Sequence, residues 1–210
     1  MNLQLKGVTY KGQPIKDFRS LQGVPPELAC LLSEVNGFVA FDGGLHVRGI
    51  CDEPLWHSLR EAWCGEEAIF RLFQSVKETD VPFAQDCLGD QYLLRSGMVH
   101  RLSAETDEVS SVGVSLDGFL DKATKDPFTY LSLQPLVAMR REGKALAPGQ
   151  LIGVYPPFCL KESACGASLA PVPALEQLKF LSVLSSHIRS IPDGGLLSIK
   201  IVQEGQNGSH

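Results

Sequence analysis

The chain has 210 residues, 44% of them apolar and 20% charged, with a formal net charge of −5. These are the proportions of a globular chain with a sizeable core, and they exclude low-complexity and collagen-like polymers. No run of about 18 apolar residues occurs, so the sequence offers no bilayer-spanning helix. The acidic balance argues against nucleic acid as a direct partner, because phosphate binding needs a basic surface.

The opening Met1-Asn2-Leu3-Gln4-Leu5-Lys6-Gly7 lacks the apolar stretch of a signal peptide, so a cytoplasmic protein is expected. Leu3, Leu5 and Val8 suggest a first strand. After Val24-Pro25-Pro26, the spacing of Leu28, Leu31, Leu32 and Val35 predicts a helix. Asn36-Gly37 suits its end. Phe38 to Phe41 reads as a strand, Asp42-Gly43-Gly44 as a turn, and Leu45-His46-Val47-Arg48 as the returning strand of a hairpin.

Pro54 is expected to open a second helix with Leu55, Leu59 and Trp63 on one stripe and Trp56 beside it. Glu66 to Val76 predicts a third helix. A strand-rich stretch follows: Val81 to Ala84, Tyr92 to Leu94, Met98 to Leu102 and Val109 to Val114. Ser115 suits a helix cap before Leu116, Phe119, Leu120 and Ala123, and Asp126-Pro127 interrupts that helix.

The last third reads as strand, helix, strand. Leu151 to Tyr155 is the first strand. A helix from Pro173 to about Ile191 is expected to bury Phe180, Val183, Leu184, His187, Ile188 and Ile191. Leu197, Ile199 and Ile201 alternate as a half-buried strand.

No catalytic motif emerges. Gly113-Val114-Ser115-Leu116-Asp117 lacks the glycine that a nucleophile elbow needs two residues after the serine. Asp86, Asp90 and His100 could be read as a hydrolytic metal set. Asp86-Cys87-Leu88-Gly89-Asp90 is more simply turn chemistry before a strand. His46 and His100 read as surface histidines on hairpin strands, and Trp56 and Trp63 as core. The cysteines Cys30, Cys51, Cys64, Cys87, Cys159 and Cys165 form no Cys-x-x-Cys pair. They read as small buried apolar residues. No metal or cofactor is expected.

Three stretches resemble the SUKH superfamily, which includes the yeast Smi/Knr cell-wall-synthesis regulator and bacterial immunity proteins. They are the proline-led helix ending in Asn36-Gly37 and running into Phe38 to Phe41, then Val81-Pro82-Phe83-Ala84-Gln85-Asp86 with Gly89-Asp90 and Tyr92, and lastly Val114 to Leu120. The resemblance covers roughly residues 20–130. It implies an α+β fold with helices packed on a curved, mainly antiparallel sheet. Residues 1–145 would form this SUKH-like domain, and residues 146–210 a C-terminal extension packed on it. The resemblance also implies a binding role without catalytic residues. Asn36, Gly37, Phe83, Asp86, Gly89, Asp90 and Phe119 would be fold residues.

The function so implied is neutralisation of a nuclease or deaminase toxin by direct binding. The alternatives are a regulatory or scaffold protein with an endogenous partner, and a metal-dependent hydrolase. Charge distribution bears on the first. Residues 50–130 hold fifteen Asp or Glu against seven Lys or Arg, a balance of −8, so the remainder is net basic. Such a stretch can steer a basic partner. Asp80, Glu105, Asp107 and Glu108 fall in its predicted polar loops and are the candidate partner contacts.

Overall fold

The computed structural model describes residues 5–190. Seven short strands pair antiparallel in chain order: β1 (Tyr10–Lys11), β2 (Phe38–Ala40), β3 (Leu45–Val47), β4 (Val81–Asp86), β5 (Gln91–Arg95), β6 (Met98–Ser103) and β7 (Glu108–Ser111). Six of the helices are α1 (Pro26–Glu34), α2 (Leu59–Cys64), α3 (Ile69–Leu72), α4 (Leu116–Lys125), α5 (Pro127–Tyr130) and α6 (Gln134–Arg141). A separate ribbon, β8 (Gln150–Tyr155) with β9 (Ser168–Pro173), leads into α7 (Ala174–Ser190). The fold is α+β, as expected.

Alternation along the strands divides the sheet into two faces. On the first face Phe38, Leu45, Val47, Phe83, Tyr92, Leu94 and Val99 pack against α1, α4 and α6. On the second, Leu93 and Leu102 pack against Ala62 of α2, Ile69 of α3 and Leu178, Leu181 and Leu184 of α7. Covering both faces leaves the polar residues of the second face buried too. That coverage creates the candidate site.

Residues 146–190 are built into both layers. Leu151 joins the second cluster, while Ile152, Val154 and Leu169 join the first. The Ile152 N–H donates to the Cys87 carbonyl, tying β8 to the β4–β5 turn. Gly89 in that turn has φ +98°, and a Cβ there would come within 3.1 Å of Leu181 Cδ1. The turn needs glycine both for its conformation and for the approach of α7.

The residues quoted for the family resemblance all hold the fold. Asn36 donates to the carbonyls of Gln13 and Ile50 and accepts from the Ile50 N–H. Phe83 meets Phe119 edge-on at 5.6 Å. Asp86 Oδ1 accepts the N–H groups of Leu88, Gly89 and Asp90, which is the turn chemistry predicted. Ser115 caps α4 by accepting from the Gly118 N–H.

Several elements differ from expectation. Leu3 lies outside the described residues, and the strand proper starts at Tyr10. The Lys6 and Gly7 carbonyls still accept from Phe41 and Asp42. The helix expected from Pro54 is a 3-10 turn, Leu55–His57, followed by α2. Ser58 takes an extended backbone and caps α2 through Glu61 N–H, so the stripe breaks and Leu55 is 53% exposed. The third helix stops at Leu72, because the Gln74 and Ser75 N–H groups donate to Asp107.

Among the strands and α-helices, α5 is not expected beyond the break at Asp126-Pro127, and two further elements add to it. One is α6, whose Leu136 and Met139 enter the core. The other is β9, which carries Pro171 and Pro173 on the outer edge of a two-stranded ribbon, where a strand tolerates proline. The buried face of α7 is only in part the expected one: Leu184 is buried and Ile188 half-buried, but His187 is exposed. Gln177, Leu178, Leu181, Leu184 and Ser185 face inward, while Phe180 and Val183 are exposed. The expected Ile191 and the strand of Leu197, Ile199 and Ile201 lie outside the described residues. Of the cysteines, Cys87 is buried as expected, whereas Cys30, Cys64, Cys159 and Cys165 are exposed.

Among the described residues, no helix is long and apolar enough to cross a membrane.

Candidate binding site

The register of β2 to β5 aligns one row on the second sheet face. Val39 pairs with His46, His46 with Gln85, and Gln85 with Gln91. Arg48 follows on the same side of β3 and is held there by its N–H to the Phe83 carbonyl. The 3-10 turn after Pro54 lays His57 and Trp56 over this row. His57 and Arg48 are buried, as is His46, which was expected at the surface.

These side chains form one hydrogen-bonded chain. His57 Nε2 lies 3.2 Å from the Asn36 carbonyl, and His57 Nδ1 lies 3.0 Å from His46 Nε2. Gln85 Nε2 lies 3.3 Å from His46 Nδ1. Gln85 Oε1 and Gln91 Oε1 both accept from Arg48 Nη2, at 2.8 and 2.7 Å. Gln91 Nε2 closes the chain on the Gly89 carbonyl at 2.6 Å.

Burial first, then the charge of Arg48 and contact with His57, holds His46 well below the usual histidine range. Burial and Arg48 lower His57 to about 4, against the opposing hydrogen bond to Asn36. Both imidazoles are neutral at physiological pH.

Arg48 is the unusual member. A guanidinium has five N–H donors. Nη1 donates to the Pro82 carbonyl at 2.8 Å, and Nη2 makes the two amide contacts. Among the described residues, Nε and the second Nη1 hydrogen have no acceptor, and no carboxylate forms an ion pair with Arg48. Burial lowers its pKa to about 9, so it stays charged at neutral pH. A buried charge with no counter-charge is costly, and most buried ions are paired.

Arg48 and Gln85 also line a cavity of about 250 Å³. Its walls are Trp56, Ala62 and Ile69 from the α2–α3 side and Ala174 and Leu178 from α7. Leu55 and Leu175 stand at its mouth, 53% and 38% exposed, with Glu61, Glu66 and Glu67. Trp56 is fixed by rings on three sides, with centroids 4.9 Å from Tyr10, 5.1 Å from His46 and 5.4 Å from His57. Gly149, with φ +85°, closes on the indole, and a Cβ there would come within 2.9 Å of Trp56 Cδ1. Trp56 is therefore a rigid, half-buried cavity wall and not the core residue expected.

The residues expected to meet a partner are not together on one surface. Asp80 is buried. It takes a bidentate pair from Arg95, at 2.8 and 2.7 Å, and the Lys77 N–H. Asp107 is buried as well and accepts from Gln74, Ser75 and Arg189. Glu105 is half-buried and caps the Phe158 and Cys159 N–H groups. Only Glu108 is exposed. Three of the four thus act within the fold, because each satisfies backbone donors, those of its own loop for Asp80 and those of distant segments for Glu105 and Asp107.

Asp86, Asp90 and His100 do not converge either. Arg101 bridges the two carboxylates at 3.2 and 2.8 Å, and Ala104 N–H donates to Asp90. Burial and the Asp90 charge push Asp86 up to about 7, opposed by Arg101 and by the Leu88 and Asp90 N–H groups. His100 is bonded to the Met98 carbonyl. Among the described residues, no three Cys, His, Asp or Glu side chains are grouped to hold a metal.

Arg48, His57 and the α2–α3 glutamates escaped the sequence reading as a site. One local signal existed. His46 and Arg48 alternate with Leu45 and Val47, which marks a polar second face on that strand. That this face is roofed by α2, α3 and α7 is a matter of tertiary packing.

The molecule is thus an α+β protein with a roofed antiparallel sheet and a polar-floored cavity beneath the roof. No family model and no curated protein matches the chain. Among solved structures, it is similar to a crystal structure of Atu4351 from Agrobacterium tumefaciens. That likeness covers 83% of this chain and 85% of the other, at 12% identity and a TM-score of 0.43.

Proposed function

We propose that this protein works by binding another protein, as an immunity-type module that neutralises a toxin domain of nuclease or deaminase type by direct contact. The observation that carries the reading is the mouth of the cavity. Leu55 and Leu175 are exposed there beside Glu61, Glu66 and Glu67. Apolar side chains exposed around a concavity are a common mark of a contact surface. An acidic ring beside them favours a basic partner and speeds encounter. The resemblance of the Asn36 to Phe41, Val81 to Tyr92 and Val114 to Leu120 stretches to a superfamily that includes immunity proteins supports the same reading. Occlusion is the mechanism: the apolar rim anchors, the glutamates orient, and the bound module blocks substrate entry to the toxin.

The test uses two baits on an extract of the source cells, the wild-type chain and a Leu55→Asp, Glu66→Lys variant. Both positions are exposed, so the fold is retained. A partner recovered on the wild type is then purified and titrated against both. Affinity for the variant is expected to fall at least roughly tenfold, about 1.4 kcal/mol. Equal affinity for both proteins would remove the cavity mouth from the interface. Failure of every recovered protein to bind once purified would remove the binding reading itself.

A further inference from the structure

We propose that the cavity beneath this rim is a site for a small zwitterion of the amino-acid class, with its carboxylate on Arg48, its ammonium toward the glutamates and an apolar side chain against Trp56. This goes beyond the protein-binding reading and does not depend on it.

The floor asks for an anion. Arg48 is buried, cavity-lining and without a carboxylate partner among the described residues. Its contacts with Pro82, Gln85 and Gln91 leave two N–H groups without an acceptor among the described residues. A carboxylate can accept from one of these remaining N–H groups and supplies the missing counter-charge. Gln85 and Gln91 take both Nη2 hydrogens, so the guanidinium is ordered before a ligand arrives.

The mouth asks for the opposite charge. Glu61, Glu66 and Glu67 all line it. Two of them have partners: Glu67 pairs with Lys179 at 2.6 Å, and Glu61 accepts the Glu67 N–H. A simple carboxylate would meet repulsion there, and a simple cation would be repelled by Arg48. A molecule carrying both charges satisfies both ends.

The walls and the size complete the description. Trp56, Ile69, Ala174 and Leu178 are apolar and suit an aliphatic or aromatic side chain. At about 250 Å³ the space lies just below the roughly 300–1,000 Å³ of drug-sized pockets, which restricts the occupant to one residue-sized molecule.

The probes are L-leucine and L-phenylalanine, each compared with its N-acetyl and its amide form. Binding to the full chain is measured by calorimetry and by the emission of Trp56, which lines the cavity. At least one free amino acid is expected to bind saturably. Blocking either charged end should weaken it at least roughly tenfold. Arg48→Lys keeps the charge but loses the planar donors held by Gln85 and Gln91, and should weaken binding if the variant folds. Glu66→Gln lies at an exposed position and should weaken binding without unfolding the chain. Absence of saturable binding at millimolar amino acid would overturn the proposal. So would equal binding of the N-acetyl or amide forms, or an unaltered affinity in Glu66→Gln. Amino-acid binding without any protein partner would leave this site standing and the protein-binding reading fallen. A protein partner lost on Leu55→Asp, with no amino-acid binding, would do the reverse.

Discussion

His46 Nε2 donates its proton to His57 Nδ1 across 3.0 Å, which makes the two buried imidazoles one neutral unit. The direction follows from the ends. The Asn36 carbonyl can only accept, so His57 Nε2 carries the hydrogen and His57 Nδ1 is bare. His46 must then donate through Nε2, and its Nδ1 accepts from the Gln85 amide. That turns Gln85 Oε1 toward Arg48. The orientation of the guanidinium in the cavity thus depends on two neutral histidines.

Acid should dismantle this arrangement. Histidines whose folded pKa lies below the unfolded value contribute stability that is full above about 6.5 and is lost as pH falls toward the folded value. For His57 that window runs down to about 4. The loss approaches about 1.4 kcal/mol per pH unit for each histidine. Asp86, raised to about 7, contributes in the opposite sense over the same window, so unfolding curves alone would blur the effect. Nitrogen NMR reads the rings directly. Both should hold the neutral Nε2–H form at neutral pH, His57 down to about pH 5, and a titration near 6.5 in either would overturn the network.

Asp80 and Asp107 should behave as structural carboxylates. Asp80→Ala strands the Lys77 N–H and the Arg95 fork. Asp107→Ala strands the Gln74 and Ser75 N–H groups. Each should cost about 1–3 kcal/mol in urea unfolding. Glu108→Ser, at an exposed position, should stay within about 0.5 kcal/mol. Equal effects at all three positions would mean that the two loops are not held as described.

Phe83 should carry a large share of the sheet–helix packing. It is fully buried between β4 and Phe119 of α4. Phe83→Ala should lower stability by about 3–5 kcal/mol, and a midpoint equal to wild type would refute its placement.

Association with a basic partner should slow as salt rises, because exposed charges are screened over about 8 Å at physiological ionic strength. The responsible residue is the exposed Glu66 at the cavity mouth, not Glu108, because Glu67 is paired with Lys179. Glu66→Gln should reduce the association rate more than it raises dissociation. Kinetic binding at two salt concentrations checks both points, and a salt-independent rate would remove electrostatic steering.

The sequence by itself determined those elements whose signals are local. The Pro26–Glu34 helix, the Phe38–Val47 hairpin, the Asp86–Asp90 turn and the Ser115 cap each depend on neighbours within a few residues. Their chemistry is therefore readable from spacing. Tertiary structure decided the rest. Which carboxylates are free turned on backbone donors arriving from elsewhere, such as Gln74 and Ser75 at Asp107, 33 and 32 residues away. The inward face of α7 was set by docking on Leu93, Leu102 and Gly89, since its apolar residues run almost all round the helix. The cavity is the extreme case. Its floor comes from Arg48, just after β3, and Gln85 of β4, one wall from the turn before α2, and the other from α7, more than a hundred residues further on. The burial of Arg48 is a property of that assembly, because desolvation depends on what covers a side chain and not on its sequence neighbours.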